Sequence, residues 1–419
     1  MPDPDLPDPN IPDPSIPDPD VPDPNIPDPD VPDPDVLDLD YVLPLRWEDD
    51  GGGDVEELTA YLRRLTRHVA RVVVVDGSPA DVFERHAARW RGLVEHVRPA
   101  ALGFANGKVD GVTTGLRLAR ADHVVIADDD VRYDRPALAE MRALLDRAHL
   151  VRPQNYFEPL PWHARWDTAR TLLNRGLGGD YPGTFGVRRG FFLRMGGYDG
   201  DVLFENLELI RTVRAHGGTE CRAAGLYVRR LPPEAGRFWS QRVRQAYDDL
   251  AQPARMALFL AVLPASAAAL ARRRFGLLAA GAGLTVALAE AGRRRAGGRR
   301  VFPWTACLFA PVWVLERAVC SWLALAAALR GGVPYAGRRL RRAAHSGRWL
   351  RARAVRRART PVARPGTDSP VTPPEIRPGT DSPVAPEARP GTDSPITPEA
   401  RPGTGGPGGR AVRRHRVTW

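Results

Sequence analysis

Between residues 41 and 150, short apolar runs alternate with segments that have helical spacing or a helix-start signal. Val72 to Val75 is a continuous valine run, which is typical of a strand buried on both faces of a sheet. Further apolar runs stand at 41–45 and 124–127, and a further strand is predicted near residues 94–97. Repeated strand–helix units of this length predict a mostly parallel sheet covered by helices.

The two ends of the chain cannot contribute to such a sheet. From Pro2 to Asp35 a five-residue unit repeats, and its alternate prolines block helices and remove the donors that a central strand needs. A second repeat, Arg-Pro-Gly-Thr-Asp-Ser-Pro, recurs from Arg364 onwards. We therefore predict disordered tails over residues 1–40 and 336–419, the second of which begins with a basic stretch.

The formal net charge of +10 is unevenly distributed along the chain. The first 45 residues contain no lysine or arginine, whereas the chain beyond Arg255 is rich in arginine. A basic region can bind nucleic acid, but these arginines alternate with apolar segments and so suit an anionic membrane surface better. We predict a membrane partner and no nucleic-acid partner.

Three apolar segments follow residue 250, at Met256–Ala271, Phe275–Ala289 and Val301–Leu329. The first two are short for a bilayer, which takes about 20 residues to span, and the third carries Glu316 and Arg317. Tryptophans and flanking arginines favour membrane association. A buried helical hairpin in a soluble protein is the alternative, and the number and orientation of membrane spans stay open.

Acidic residues follow two of the predicted strands. Asp76 comes directly after Val75, and the triplet Asp128-Asp129-Asp130 comes directly after Ala127. Both acidic turns are expected at the edge where parallel strands end and where open sheets bind ligands. If the backbone stays extended, Asp128 and Asp130 point to the same side and can hold Mg²⁺ or Mn²⁺ together with a diphosphate. A surface acidic turn that caps the next helix is the alternative.

Several motifs together resemble family 2 glycosyltransferases of the GT-A fold. They occur in the family's order over about residues 41 to 330: Val72–Ser78, Asn106–Lys108 with Gly115 and Leu116, Val124–Val131, Gly183–Arg189, Gly196–Asp199, Glu205–Leu209 and Gln241–Arg244. The first resembles the nucleotide-binding strand end, the third the Asp-x-Asp metal motif, and the last the Gln-x-x-Arg element of membrane-embedded members.

The resemblance implies roles for individual residues. Asp76 would bind the base or ribose of the nucleotide, and Asp128 the donor and its metal. Lys108, the one lysine among 60 basic residues, would lie near the nucleotide. Gln241, Arg242 and Arg244 would face the diphosphate or a charged acceptor; a basic amphipathic helix against the membrane is the alternative.

The chain departs from the family pattern at two positions. Asn206 stands where the family usually carries its general base, and an amide cannot take a proton. We therefore predict Glu205 as the base and Glu208 as the second choice, although acids at a helix start can also be purely structural. Gln245 replaces the tryptophan typical of processive synthases, which favours the transfer of single sugars.

The predicted fold class is α/β. It consists of a GT-A-like sheet with flanking helices at 41–250, membrane-associated helices at 251–335, and the two tails. The predicted function is inverting transfer from a nucleotide sugar to a hydroxyl of a lipid or cell-envelope glycan. Three cysteines without a disulfide framework favour a cytoplasmic catalytic domain at the bacterial cell membrane. Because Asn206 replaces the usual base, a non-catalytic nucleotide-sugar-binding scaffold is the alternative.

Overall fold

The computed structural model describes residues 36–49, 53–335 and 337–359. The sheet strands are β1 (Leu37–Leu45), β2 (Val69–Asp76), β3 (Glu95–Val97), β4 (His123–Ala127), β5 (Val131–Arg132), β6 (Leu150–Phe157), β7 (Thr184–Arg188) and β8 (Glu220–Arg230). Within the described residues they form one eight-stranded sheet in the order β3-β2-β1-β4-β7-β6-β8-β5. Parallel pairing joins β3, β2, β1 and β4 and also joins β6 to β8, while β7 runs antiparallel to both neighbours. The predicted mostly parallel α/β sheet is confirmed.

Helices cover both faces of this sheet and continue beyond it. The first nine are α1 (Gly53–Leu65), α2 (Ala80–Trp90), α3 (Gly107–Leu118), α4 (Arg135–Leu145), α5 (Trp162–Leu177), α6 (Arg189–Met195), α7 (Glu205–Ala215), α8 (Ala235–Ser240) and α9 (Arg242–Tyr247). After them come α10 (Pro253–Ala271), α11 (Phe275–Arg294), α12 (Ala310–Leu329), the hairpin β9 (Val333–Tyr335) and β10 (Arg338–Leu340), and α13 (Gly347–Arg359). Short 3-10 helices stand at Asp248–Ala251, Arg295–Arg300 and Trp304–Phe309.

Successive residues of the central strands enter two different cores. Leu43 and Val74 belong to the core beneath α1 and α4, whereas Val42, Val73 and Val75 belong to the core beneath α3, α6 and α7. All five side chains are fully buried. Full burial of such a side chain contributes about 1.5–3 kcal/mol to stability. The valine run is therefore explained by burial on both faces, as predicted.

Two segments predicted as tail have regular structure. β1 begins at Leu37, because Leu39 is fully buried in the core and Asp40 accepts a hydrogen bond from Ala121 N at 3.0 Å. In the second predicted tail, β10 and α13 are regular elements. Helix α13 packs against α7, and its Arg353 donates a hydrogen bond to Asp199, which precedes α7, at 3.0 Å. The predicted tail boundaries are corrected at these places. The remainder of both predicted tails lies outside the described residues.

Three helical segments after residue 252 are long and apolar enough to cross a membrane. Helices α10 and α11 pack side by side as a hairpin, with only 11% of each apolar window buried, and the arginines 272–274 at its tip are exposed. Each is 19 or 20 residues long, which matches a bilayer core at 1.5 Å per residue. This hairpin has the dimensions of two membrane spans.

Helix α12 is held against the catalytic domain along its length. The segment Trp304–Phe309 before it packs on α5, the middle of α12 bonds to α9 through Glu316 and Arg242 (3.0 Å), and β9 follows it. The opposite face of α12 exposes Leu315, Val319, Trp322 and Leu323. One apolar face is thus open while both ends stay at the domain, which is the geometry of a helix lying along a membrane surface.

Two glycines set the contact between α5 and α11. A Cβ on Gly292 would lie 1.9 Å from the backbone oxygen of Leu172, and one on Gly176 would lie 2.6 Å from that of Leu288. We expect Gly292→Ala to force the helices apart and to destabilise the protein by about 1–3 kcal/mol, measured as a lower Tm in detergent. Gly281→Ala is the matched control, because a Cβ on Gly281 meets nothing within 4 Å. Equal melting of the two variants would contradict this account of the helix contact.

The arrangement of α10, α11 and α12 also predicts a membrane topology. In a cysteine-free background, we expect R299C and R338C to react with a membrane-impermeant thiol reagent from the same side of sealed vesicles. R273C, at the tip of the α10–α11 hairpin, should react only from the opposite side. All three side chains are exposed. Labelling of R299C and R338C from opposite sides would mean that α12 crosses the bilayer.

Candidate active site

A polar pocket opens at the carboxyl ends of β1 and β4, where open α/β sheets commonly bind ligands. Side chains from α3, the β4–β5 turn, α7 and α9 converge on it. The predicted residues that line it are Lys108, Asp128, Glu205, Gln241 and Arg244. Residues from four separate places in the sequence therefore meet in one site.

Lys108 is positioned by the packing of α3. Asn106 caps the helix by accepting a hydrogen bond from Lys108 N at 3.2 Å. Gly115 lets the same helix approach the sheet, because a Cβ there would lie 2.3 Å from Val42 Cγ1 on β1. The Asn-Gly-Lys element and the later glycine thus fix where the lysine side chain enters the pocket.

The Lys108 ammonium lies between two carboxylates. Its Nζ is 2.6 Å from Asp128 Oδ1 and 2.8 Å from Glu205 Oε1. Burial alone would lower the pKa of Lys108, but the charges of Asp128 and Glu205 outweigh burial and raise that pKa above the ordinary lysine value. The lysine therefore stays cationic and ties the acidic turn to the start of α7.

The acidic triplet forms a turn, so the extended backbone assumed for it is wrong. Val131 N donates to Asp128 O at 3.1 Å, and Asp129 faces inward, where Trp47 Nε1 donates to its carboxylate. Asp128 and Asp130 converge all the same, because both contact the guanidinium of Arg230. The two predicted metal ligands are thus close together, by a different backbone geometry.

Arg230, the last residue of β8, is a site residue that the sequence motifs do not include. Its Nε lies 2.9 Å from Asp130 Oδ2 and its Nη2 lies 3.5 Å from Asp128 Oδ2. Burial opposes the charge of Arg230, but Asp130 and Asp128 raise its pKa. Gly183 leaves room for this contact, since a Cβ there would lie 2.6 Å from Asp128 Oδ2. In an arginine-rich chain, no sequence signal singles this arginine out.

Asp128 and Asp130 fit a divalent cation. Their hard carboxylate oxygens converge on one cationic group, as the shared contact to Arg230 demonstrates. Burial raises the pKa of Asp130, and the charges of Asp129 and Asp128 add to this effect while Arg230 opposes it. Because neighbouring carboxylates raise the pKa of one another, binding of a cation beside them is favourable.

Of the two predicted bases, only Glu205 lines the pocket. Glu208 is fully buried one turn further along α7, where its carboxylate accepts from His345 N at 2.7 Å and contacts His345 Nδ1 at 2.9 Å. Burial raises the pKa of Glu208, opposed by His345. Its carboxylate is occupied by the segment before α13, so the prediction of Glu208 as a base is corrected. Asn206 lines the pocket and donates to Pro182 O at 3.2 Å.

The Gln-x-x-Arg element divides between the pocket and the protein interior. Gln241 and Arg244 line the pocket, but Arg242 is only 2% exposed. The Arg242 guanidinium lies 3.0 Å from Asp167 on α5 and also pairs with Glu316 on α12. The predicted contact of Arg242 with the diphosphate is therefore corrected: this arginine joins α9 to α5 and α12.

Asp248 is a second pocket residue that the motifs do not include. It begins the 3-10 helix after α9, and its buried Oδ1 has no hydrogen-bond partner among the described residues. Burial raises the pKa of Asp248 well above the ordinary value, the charge of Glu205 adds to this, and Arg244 opposes it. The acidic pair Asp248-Asp249, which follows the Gln-x-x-Arg element after three further residues, was the available sequence signal.

Asp76 ends β2 as predicted but does not line the pocket. It is fully buried, with its Oδ2 at 2.7 Å from His86 Nδ1 and at 3.0 Å from His96 Nε2, and its Oδ1 accepts from Ser78 N. Burial alone would raise the pKa of Asp76, but these hydrogen bonds lower it. The side-chain oxygen and nitrogen atoms of Asp76, His86 and His96 that could bind a metal lie within 4.8 Å of one another. The hydrogen bonds of Asp76 to the two histidines account for this cluster. The predicted contact of Asp76 with the nucleotide is therefore corrected. Its carboxylate instead holds the loop after β2 through the hydrogen bond from Ser78 N.

Cations and carboxylates thus gather where the strands of an open α/β sheet end, which is where such sheets bind ligands. Residues 53–195 match the family model described as Glycosyl transferase family 2. The match over this part of the chain bears out the predicted resemblance to family 2 glycosyltransferases and the predicted enzyme class. The match includes Lys108, Asp128 and Asp130; Glu205, Arg230 and the residues of α9 lie beyond it.

Solved structures with a similar fold are glycosyltransferases. A mannosyltransferase of Pyrobaculum calidifontis, crystallised with GDP-Man and Mn²⁺, is 19% identical, with 71% of this chain and 76% of that chain covered and a TM-score of 0.36. The mannosyl-3-phosphoglycerate synthase of Rubrobacter xylanophilus is 20% identical, with 52% and 75% covered and a TM-score of 0.34. The glucosyl-3-phosphoglycerate synthase of Mycobacterium tuberculosis, with Mn²⁺, UDP and phosphoglyceric acid, is 18% identical, with 45% and 68% covered and a TM-score of 0.30. A search of curated proteins finds no significant match.

Proposed function

We propose that this protein transfers a single sugar from a nucleotide-sugar donor to a hydroxyl of a lipid or cell-envelope glycan, with inversion at the anomeric carbon. The observation that carries the proposal is the pocket lined by Lys108, Asp128 and Arg230, with Asp130 paired to Arg230 beside it, in a chain that matches the family 2 model. This arrangement combines hard oxygen ligands for a cation with fixed positive charges for phosphate oxygens.

The donor side of the pocket is suited to a diphosphate. Lys108, Arg230 and Arg244 supply positive charge, and guanidinium groups can bind phosphate oxygens in a bidentate manner. Mg²⁺ or Mn²⁺, held by Asp128 and Asp130, would offset the negative charge that develops on the departing nucleotide diphosphate. Gln241 beside these cations can donate its amide N–H to the same group.

On the acceptor side, we assign the general base to Asp248. An inverting transfer needs one carboxylate that takes the proton from the acceptor hydroxyl while the hydroxyl oxygen attacks the anomeric carbon. The predicted base, Glu205, is held in a salt bridge, with its Oε1 at 2.8 Å from Lys108 Nζ. Asp248 has a raised pKa and an unpartnered buried oxygen, so it is the better proton acceptor.

The catalytic domain is proposed to face the cytoplasm of a bacterial cell. The arginine-rich segment Arg293–Arg300 and the basic stretch after Arg330 lie on the side of the domain, whereas three arginines stand at the tip of the α10–α11 hairpin. The larger number of basic residues is expected on the cytoplasmic side. Free Cys221, Cys307 and Cys320 fit a reducing compartment.

The first test is donor hydrolysis by the detergent-solubilised protein across a panel of nucleotide sugars. We expect release of one nucleotide diphosphate with Mn²⁺ or Mg²⁺ and none with EDTA. Asp130→Asn should lower the rate at least about tenfold, because it weakens the cation site. Asp129→Asn is the matched control in the same turn, since an amide oxygen can still accept the Trp47 hydrogen bond. Absence of both turnover and donor binding would overturn the proposal.

The second test distinguishes the role of the Asp248 carboxylate from that of the Glu205 carboxylate. We expect Asp248→Asn to lower kcat by about 10²–10⁴-fold and to leave donor KM nearly unchanged. Because the base acts when deprotonated and its pKa is raised, wild-type kcat should rise with pH through that raised pKa, and Asp248→Asn should lack this limb. Glu205→Gln should mainly raise donor KM, since it releases Lys108. The assignment fails if Asp248→Asn keeps the wild-type pH profile.

A further inference from the structure

An apolar groove runs between the catalytic domain and the membrane helices. Its walls come from α5 and α7 on one side and from α10, α11 and α12 on the other, and its volume is about 640 Å³. Leu258 on α10 and Leu284 on α11 line it and are 59% and 61% exposed. Because these helices are the proposed membrane spans, the groove is open to the lipid phase along its outer wall.

The inner end of the groove meets the polar pocket. Asn174, Tyr181, Gln252 and Arg255 line both spaces. The Arg255 guanidinium donates to Asn174 Oδ1 at 2.8 Å, and the Tyr181 hydroxyl donates to Gln252 Oε1 at 3.2 Å. A molecule lying in the groove can therefore present one end to the catalytic pocket while its remaining length stays among apolar side chains.

The rim of the groove carries an excess of positive charge. Arg152, Arg214 and Arg222 line it and all three pair with one carboxylate, that of Glu220. This leaves two uncompensated positive charges in the cluster. Arg152 also lies over the ring of Tyr181, 5.3 Å from its centroid, which places the cluster next to the boundary with the polar pocket. Among the described residues that line the groove there is no aspartate or glutamate.

We infer that this groove binds the acceptor, and that the acceptor is a lipid whose head group carries a phosphate beside the accepting hydroxyl. This inference rests on the proposed function and narrows its acceptor class. The apolar chain lies in the groove alongside α10 and α11, where it exchanges with the bilayer without crossing water. The phosphate lies between the Arg152 cluster and Arg255, where charge-assisted hydrogen bonds hold it. The hydroxyl then reaches the polar pocket and Asp248.

Binding of defined probes tests the inference without knowledge of the natural acceptor. Oleoyl lysophosphatidic acid has one apolar chain, a phosphate and a free hydroxyl. Oleoylglycerol lacks the phosphate, and glycerol 3-phosphate lacks the chain. For the wild-type protein in uncharged detergent, we expect the Kd of the first probe to be lower than those of the other two by at least about tenfold. Equal affinity for the charged and the neutral lipid would overturn the inference.

Two matched variants locate the binding. Leu284→Trp fills the groove, whereas Leu277→Trp places the same side chain at a position of α11 that is 58% exposed and outside the groove. We expect only Leu284→Trp to weaken binding of the charged probe, at least about tenfold. The double variant R214Q/R222Q should remove the preference for the phosphate, because Arg152 alone then balances Glu220. Unchanged binding by Leu284→Trp would exclude the groove as the lipid site.

Donor hydrolysis, measured in the same preparations, separates failure of this inference from failure of the proposed function. The wild-type protein and Leu277→Trp should hydrolyse donor with water at equal rates, because Leu277 lines neither the groove nor the polar pocket. Metal-dependent hydrolysis together with probe binding that ignores Leu284→Trp would refute the lipid groove and leave the glycosyltransferase assignment standing. Selective lipid binding without any donor turnover would support the lipid groove and contradict the glycosyltransferase assignment.

Discussion

The contact of Lys108 with Asp128 and Glu205 joins the two halves of the pocket. Asp128 ends a strand of the sheet, Glu205 begins α7, and 77 residues of sequence separate them. Without a cation between them these two carboxylates would repel each other inside a partly buried site, and Asp130 would add to the repulsion. The positions of the acidic turn, of α7 and of Arg230 are therefore mutually dependent. Lysine suits this position, since its compact ammonium can contact two carboxylates at once.

Because these positions depend on one another, only some residues of the site could be predicted from the sequence. Lys108, Asp128 and Asp130 stand at the ends of strongly periodic elements, where local spacing determines their location. Glu205, Gln241 and Arg244 were found through the family resemblance. Arg230 and Asp248 were missed because their roles arise only when β8 and the segment after α9 pack against the acidic turn. No local pattern carries that information.

The three corrected residues share one physical cause. Asp76, Glu208 and Arg242 lie in motifs at plausible spacing, but each is satisfied by partners far away in the sequence: His96, His345 and Glu316. A buried charge requires such a partner, and removal of the partner is costly because an uncompensated charge remains. The residue types of Glu208 and Arg242 are thus explained by the packing of the domain against elements that follow it, and that of Asp76 by the packing of β2 against α2 and β3. The fold class followed from the alternation of apolar strands with helices, because repeated units of this kind form a mostly parallel sheet covered by helices.

The partners of Arg242 also connect α12, the helix with the exposed apolar face, to the residues of the polar pocket. Arg242 on α9 pairs with Glu316 on α12, and the next residue of α12, Arg317, lies 3.7 Å from Asp249. Asp249 is the neighbour of Asp248, and α9 also carries Arg244. A helix with an exposed apolar outer face is therefore bonded directly to the segment that carries the proposed base, Asp248, and the proposed phosphate ligand, Arg244. The position of Asp248 thus depends on how α12 packs against α9.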